Sequence, residues 1–147
     1  MNRLTLEIES NLSNVSLMAV AINAIGAYAG LDRDKSNLVE LALVEAVTNS
    51  ILHAYHGEPS HLVTVIVWCD HQHLRFDLID TGVPMHLDQV ERLIRGAGIV
   101  EAECLDLSSI SESGRGLEII HRTMDEISYE RKGSRNHLTL TTYLHTD

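Results

Sequence analysis

ELALVEAVTNSILHAY, at residues 40–55, is the stretch of sequence that decides the fold. Its apolar residues recur at helical intervals, while Glu45, Asn49 and His53 follow one another at every fourth position. That interval places the three polar groups on one stripe of a helix. A carboxylate and an amide are costly to bury among Leu, Val and Ile unless something pairs with them. We therefore expect this helix to face a functional site.

The composition is that of one ordered domain covering residues 1–147. The chain has 44% hydrophobic and 22% charged residues, which is an ordinary globular balance. Its formal net charge of −10 disfavours nucleic acid and anionic membranes, because both attract clustered Lys and Arg. A protein or a small molecule is the expected partner.

The two cysteines, Cys69 and Cys104, stand alone without paired spacing. The sequence shows no secretory leader and no apolar run long enough to span a bilayer. We expect a cytoplasmic protein with reduced thiols, and a disulfide between the two cysteines is the alternative.

The hydrophobic periodicity predicts an α+β fold. Alternating or β-branched runs predict five strands, at residues 3–8, 62–69, 74–79, 127–131 and 137–144. Helical spacing predicts one helix between Ser10 and Gly30, a second through the opening stretch, a third at residues 87–94 and a fourth from Gly114. Because the strands are grouped in hairpins, we expect a two-layer sandwich, with helices on one face of a mostly antiparallel sheet.

Two further expectations concern the loops and the core. From Gly98 to Ser113 the sequence is acidic, Ser-rich and weakly periodic, which predicts a mobile loop that acts as a lid. Trp68 and Phe76, both on predicted strands, are expected in the core.

Asp80-Thr81-Gly82 follows the third predicted strand, where a sheet presents polar groups to a ligand. The Asp80 carboxylate accepts hydrogen bonds and suits an exocyclic amine such as that of adenine. Gly82 lets the backbone approach a flat ring closely. The alternative is that this tripeptide is merely a turn.

Gly114-Arg115-Gly116 precedes the last predicted helix. A helix N-terminus behind flexible glycines exposes unpaired N–H groups to phosphate oxygens, and Arg115 adds a positive charge. The alternative is a cap or a tight turn. A P-loop is excluded, because no Gly-rich run ends in Gly-Lys-Ser/Thr.

Glu45 and Asn49 bring a carboxylate and an amide oxygen one helical turn apart. Asn49 suits Mg²⁺, and Glu45 suits the role of general base on a water or a hydroxyl. The alternative is a solvent-facing stripe. The histidine pairs His53/His56 and His71/His73 lack a third ligand at a recognisable spacing, which favours surface or turn histidines over a metal site.

In this chain order the three motifs resemble those of the Bergerat-fold ATPases, which include DNA gyrase, Hsp90, histidine kinases and MutL. Within that family the chain is most similar to the bacterial anti-sigma factor serine kinases, over nearly its whole length. Residues 45–55 resemble the family's helix motif, residues 80–84 its adenine-binding box, and residues 114–117 its second glycine box at the lid.

The resemblance implies an ATP-dependent protein serine kinase with Glu45 as catalytic base and Asn49 as Mg²⁺ ligand. The residues implied in ATP binding are Asn49, Asp80, Gly82, Pro84, Gly114, Arg115, Gly116 and Leu117. The implied substrate is a serine of a STAS-type anti-anti-sigma factor, and the implied second partner is a sigma factor or similar regulator. Relatives of this type tend to form homodimers.

Three positions differ from the family pattern. Pro84 stands where many relatives have a second Gly, Ser113 stands where a further Gly is common, and residues 135–137 lack a Thr that relatives often carry near the nucleotide.

Two other functions remain open. One is a binding module of the same fold, with nucleotide as a structural ligand or with none. The other is a detached histidine-kinase catalytic domain, which is disfavoured because no dimerisation helix pair with a phospho-acceptor His precedes the first motif.

Overall fold

A computed structural model describes residues 1–96 and 112–145 of the chain. Its described strands are β1 (Asn2–Glu9), β2 (Leu62–Cys69), β3 (His73–Asp80), β4 (Glu126–Lys132) and β5 (Arg135–Tyr143). Its described α-helices are α1 (Val15–Tyr28), α2 (Arg33–Asn49), α3 (Leu87–Arg95) and α4 (Glu112–Thr123). A 3₁₀ turn at Leu12–Asn14 precedes α1, and a π-helical turn at Ser50–Ala54 continues α2.

The five strands form one antiparallel sheet in the order β1-β2-β3-β5-β4. The register between β3 and β5 pairs Asp80 with Asn136. Helices α1, α2 and α4 pack on one another and bury their apolar sides together with one face of the sheet. The predicted α+β class, with helices layered on a mostly antiparallel sheet, is confirmed.

The core lies between the sheet and the helices. The buried strand residues include Val63, Val65 and Val67 of β2, and the buried residues of α2 include Leu43 and Val47. Removing each such side chain from water contributes about 1.5–3 kcal/mol to folding. This buried layer fixes α2 against the centre of the sheet.

The prediction for Phe76 is confirmed, but the prediction for Trp68 is wrong. Phe76 is fully buried, whereas Trp68 is half-buried on the open face of the sheet. There the Trp68 ring lies 5.2 Å from the guanidinium carbons of both Arg3 and Arg75, and its indole N–H donates to Asp77 Oδ2 at 2.8 Å. A two-layer fold covers one sheet face, so an aromatic residue on the other face finds cationic and polar partners instead of a core.

The second predicted helix differs from the structure at its end. The α-helix stops at Asn49 and a wider π turn follows, in which the N–H of Tyr55 donates to the carbonyl of Ser50, five residues earlier. At the end of this turn the carbonyl of Ala54 accepts a hydrogen bond from Val83 at 2.9 Å. The π turn thereby joins the end of α2 to the loop after β3.

Two expectations fall partly or wholly outside the described residues. The predicted lid, from Gly98 to Ser113, lies outside them up to residue 111, and so does Cys104. Cys69 carries a free thiol. In the described segments no helix has the length and apolar character needed to cross a membrane.

Candidate functional site

A pocket of about 250 Å³ lies at the end of the sheet where α2, the π turn and the loop after β3 meet. Four of the sequence-predicted site residues line it: Asn49, Asp80, Pro84 and Leu117. They come from α2, β3, the following loop and α4. The fold thus brings together residues as distant in sequence as Asn49 and Leu117. Among the lining residues, Leu78 and Leu138 supply apolar wall.

Asp80 is held rigidly in the wall of this pocket and is 8% exposed. Its Oδ1 accepts hydrogen bonds from Asn136 Nδ2 at 2.7 Å and from the Gly82 N–H at 3.0 Å, and its Oδ2 accepts one from Ser50 Oγ at 3.0 Å. Each carboxylate oxygen has two lone pairs. Ser50 is the one donor to Oδ2 among the residues that the structure describes, so Oδ2 retains a position there at which it accepts a hydrogen bond from a ligand.

Asn136 is a site residue that the sequence prediction missed. It is 2% exposed, and its amide N–H₂ donates to both Asp80 Oδ1 and the carbonyl of Gly82, the latter at 3.0 Å. Its Oδ1 accepts from Arg131 Nη1 at 3.1 Å. The pairing of Asn136 with Asp80 depends on the register of β3 and β5, which local sequence does not reveal. The available signal in the sequence was the absence of a Thr at residues 135–137.

Gly82 is required by a close approach of two backbone segments. A Cβ at this position would lie 2.3 Å from the carbonyl oxygen of Ala54 and 2.5 Å from its carbon. The sequence predicts that Gly82 allows the backbone to approach a flat ring closely. In the structure, the atoms that a Cβ at Gly82 would meet belong to the π turn. At Gly82 the loop therefore packs directly against the π turn. The adjoining Val83 and Pro84 line the pocket.

The Tyr55 side chain joins the loop after β3 to strand β2. Its buried hydroxyl accepts a hydrogen bond from the Thr81 N–H at 2.8 Å and donates to the carbonyl of Leu62 at 2.8 Å. The Asp80-Thr81-Gly82 tripeptide is therefore anchored on both the π turn and β2.

Glu45 lies one helical turn before Asn49 and faces α4. A Cβ added at Gly116 would lie 2.6 Å from Glu45 Oε2, so the absence of a side chain there makes room for the carboxylate. Burial raises the pKa of Glu45, and the nearby positive charge of Arg115 opposes part of that increase. A carboxylate with a raised pKa takes up a proton more readily than an ordinary glutamate.

The glycines of the Gly114 motif lie inside α4, because that helix begins at Glu112. The first four N–H groups of an α-helix have no acceptor within the helix, so those of Gly114 and Arg115 lie outside the helical ladder and that of Gly116 belongs to it. Within the described residues, the buried Nε of Arg115 has no hydrogen-bond partner. A guanidinium N–H near the backbone N–H groups of a helix start suits an anion.

Asn49 and three histidines are among the residues that line the pocket. Asn49 is half-buried, and His53, His56 and His86 are exposed residues of the pocket lining. No group of three or more His, Cys, Asp or Glu side chains arranged to hold a metal ion occurs among the described residues.

Two named proteins are similar to this chain over most of its length. It is 30% identical to the anti-sigma F factor of Bacillus cytotoxicus over 144 residues, which cover 94% of this chain and 91% of that protein. It is 26% identical to the serine-protein kinase RsbW of Listeria monocytogenes serovar 1/2a over 126 residues, covering 86% of this chain and 78% of that protein.

A solved structure shares the fold. The crystal structure of the RsbU and RsbW domains of Rv1364c from Mycobacterium tuberculosis matches with a TM-score of 0.60 at 17% identity. The match covers 97% of this chain and 32% of that longer chain.

The family assignment rests on a match that spans most of the chain. The sequence model of the histidine kinase-like ATPase domain matches residues 8–142, a range that contains α2, the loop after β3 and α4. The chain belongs to the histidine kinase-like ATPase domain family.

Proposed function

We propose that this protein is an ATP-dependent protein serine kinase that phosphorylates a STAS-type anti-anti-sigma factor and also sequesters a sigma factor. The observation that carries the proposal is that Asn49, Asp80 and Leu117, from three separate elements, line one pocket. The names of the relatives, an anti-sigma F factor and a serine-protein kinase, support the regulatory class.

The residues present fit an adenine nucleotide. Asp80 Oδ2 has one free acceptor position, which suits the exocyclic amine of adenine, and the buried Leu78 and Leu138 supply apolar walls for a flat base. Gly82 and Pro84 shape the loop at this end. In the proposal these residues hold the base. Leu117, which lines the pocket from α4, also contacts the nucleotide.

The phosphate end of the site lies toward the start of α4. Phosphate oxygens are proposed to bind Arg115, whose Nε has no hydrogen-bond partner in the described part of the chain, and the backbone N–H groups of Gly114 and Arg115. Gly116 leaves space for Glu45. Asn49 is proposed to hold Mg²⁺ through its amide oxygen. Bound Mg²⁺-ATP would supply the phosphoryl group and the metal charge that stabilises its transfer.

Glu45 is proposed to act as the general base. Its carboxylate would accept the proton from the hydroxyl of the partner's serine while that oxygen forms its bond to the γ-phosphorus; the bond from the γ-phosphorus to the bridging oxygen would break, and ADP would leave. Burial raises the pKa of Glu45, which strengthens it as a proton acceptor, and Arg115 keeps the ionised form accessible.

Replacing Asn49 with Ala is expected to raise the Kd for Mg²⁺-ATP about tenfold, the scale of one interaction with a charged group. The Kd for ATP measured in EDTA should stay the same, because the lost contact is to the metal. Asn37→Ala, on the exposed side of the same helix, is the matched control. Equal weakening with and without Mg²⁺ would contradict a metal-binding role for Asn49.

The proposed activity is tested directly with γ-labelled ATP and the STAS-type protein encoded nearest to this chain. Incubation with wild-type protein should label one serine of the partner, identified by mass spectrometry. A partner carrying Ala at that serine serves as the control. Labelling that is absent with every STAS-type protein of the same genome would contradict the kinase proposal.

One observation favours a second candidate, a protein-binding module without kinase activity. Asp80 already has three internal hydrogen bonds, so the pocket is held in shape by the chain itself. Such a module would capture its partner equally well with and without nucleotide. A pull-down of the sigma factor in the presence and absence of Mg²⁺-ATP separates the two candidates.

We further propose that residues 1–147 act as one domain, that the protein works in the cytoplasm and that it forms a homodimer. An exposed apolar side of α1, with Leu17, Val20 and Tyr28 each more than two thirds exposed, supports association with another protein surface. Sedimentation analysis at several concentrations tests the dimer.

A further inference from the structure

Tyr129 is a pocket residue that the proposed function does not yet use. It lies on β4, is half-buried and lines the pocket beside Asp80, Asn136 and Met85. Its hydroxyl oxygen accepts a hydrogen bond from the Met85 N–H at 2.9 Å, which fixes the position of the ring tip. A phenol also has one proton to donate, and no acceptor for that proton is found in the part of the chain that the structure describes.

The Tyr129 hydroxyl stays protonated at neutral pH. Burial raises the pKa of Tyr129, the hydrogen bond from Met85 and the charge of Arg131 oppose the increase, and the negative charge of Asp80 adds to it. Tyr129 and Asp80 line the same pocket. The pocket therefore presents both a hydroxyl donor and a carboxylate acceptor.

The other donors around Asp80 are already engaged. Both N–H groups of Asn136 are used by Asp80 and Gly82, and the Ser50 hydroxyl donates to Asp80 Oδ2. Tyr129 thus supplies a donor that is uncommitted within the described residues, in the same pocket as the remaining acceptor position of Asp80.

One acceptor and one donor in the same pocket match one edge of a purine. In adenine the exocyclic amine donates hydrogen bonds, while a ring nitrogen on either side of it, N1 or N7, accepts one. A base that placed its amine on Asp80 would bring one of these nitrogens toward the tyrosine. Guanine presents a carbonyl oxygen in place of the amine, and this oxygen would meet the carboxylate of Asp80.

We propose that the Tyr129 hydroxyl donates a hydrogen bond to the ring nitrogen adjacent to the adenine amine, so that Tyr129 and Asp80 together select adenine. This inference rests on the proposed function, since it assumes that the pocket binds ATP. It adds a base-contacting residue on β4, a strand outside the three motifs of the sequence analysis.

The test combines a protein change with a ligand change. Kd values are measured by calorimetry for ATP, 1-deaza-ATP and 7-deaza-ATP with wild-type protein and with Tyr129→Phe. Wild-type protein should bind one of the two analogues about tenfold more weakly than ATP, the scale of one hydrogen bond. Tyr129→Phe should bind ATP about tenfold more weakly and should no longer distinguish ATP from that analogue.

Tyr143→Phe is the matched control. Tyr143 lies at the other end of β5 from Asn136, is exposed, and donates its hydroxyl to Glu126, so its loss should leave all three Kd values unchanged. A merely structural role of Tyr129, through Met85, would weaken ATP and both analogues by the same factor and would overturn the inference.

The wild-type measurements are decisive without any variant. Equal binding of ATP and both analogues to wild-type protein would overturn the role of Tyr129 and leave the proposed function standing. No binding of ATP to wild-type protein would overturn the proposed function and this inference together.

Discussion

Replacing Glu45 with Gln is expected to slow phosphate transfer by about 10²–10⁴-fold, the usual contribution of a general base, with less than about a twofold change in the Kd for ATP. Gln has the same size as Glu, so it fills the space that Gly116 leaves open. Its amide accepts no proton from a serine hydroxyl. Single-turnover transfer to the partner protein, measured beside calorimetric ATP binding, separates the two effects.

The same variant has a predicted effect on stability that depends on pH. Because burial raises the pKa of Glu45, the folded protein binds this proton more tightly than the unfolded chain does. The contribution of Glu45 to the free energy of unfolding is greatest below pH 4.5, the ordinary pKa of a glutamate. It decreases as the pH rises from there through the raised pKa of the folded protein. Glu45→Gln should therefore have the higher Tm at neutral pH, and the advantage should vanish in acid.

Glu40→Gln is the matched control for both measurements. Glu40 lies on the same helix, outside the pocket lining, and accepts a hydrogen bond from Asn23 at 2.6 Å. Its replacement should leave the transfer rate unchanged. Transfer that continues at the wild-type rate in Glu45→Gln would remove Glu45 from the role of base.

Replacing Gly82 with Ala is expected to lower the free energy of unfolding by about 3 kcal/mol, the upper part of the usual range for overpacking. The new methyl group would meet the carbonyl of Ala54 at 2.3 Å, and backbone atoms do not move aside as a side chain does. The hydrogen bond from Val83 to Ala54 would be lost with the contact. Urea denaturation measures the change.

Gly26→Ala controls for the general effect of adding a methyl group. Gly26 lies in α1, and the atom nearest to a Cβ added there would be the side-chain hydroxyl oxygen of Ser36, at 2.9 Å. Ala also favours a helix by about 1 kcal/mol over Gly, so the net change should be small. If Gly82→Ala unfolds at the wild-type urea concentration, the tight contact between the loop and the π turn is not part of the folded state.

The strands were predictable because alternation of apolar and polar residues reports burial on one face. Strand β2 was predicted with the bounds that the structure has, and the other strands agree to within two residues at each end. Alternation does not say which face the helices cover when both carry apolar residues. Trp68 shares its face with Thr64 and Ile66, and that face is the open one.

The site was predictable in its parts but not in its connections. Asp80 could be placed at the end of a strand, yet its pairing with Asn136 depends on a register between residues 56 positions apart. The π turn has no local signature in the sequence, because its wider geometry depends on the contact between Ala54 and the loop after β3. The requirement for Gly82 follows from that contact.

The neighbours of Glu45 could not be predicted from the sequence for a related reason. Helical spacing placed Glu45 and Asn49 on one stripe, but it does not reveal which helix covers the stripe. The sequence predicts Gly116 as one of two glycines near a helix N-terminus that binds phosphate, whereas its close approach to Glu45 depends on how α4 packs against α2. Long-range packing, rather than local propensity, assembles this end of the site.

The most direct test of the account is calorimetric titration of the wild-type protein and of Asp80→Asn with Mg²⁺-ATP. Asn preserves the shape of Asp80 but replaces one carboxylate oxygen with an amide donor. We expect saturable binding of one nucleotide per chain to the wild-type protein and at least about a tenfold increase of Kd in the variant. Absence of binding to the folded wild-type protein, or equal binding to both proteins, would contradict an adenine-nucleotide site at Asp80.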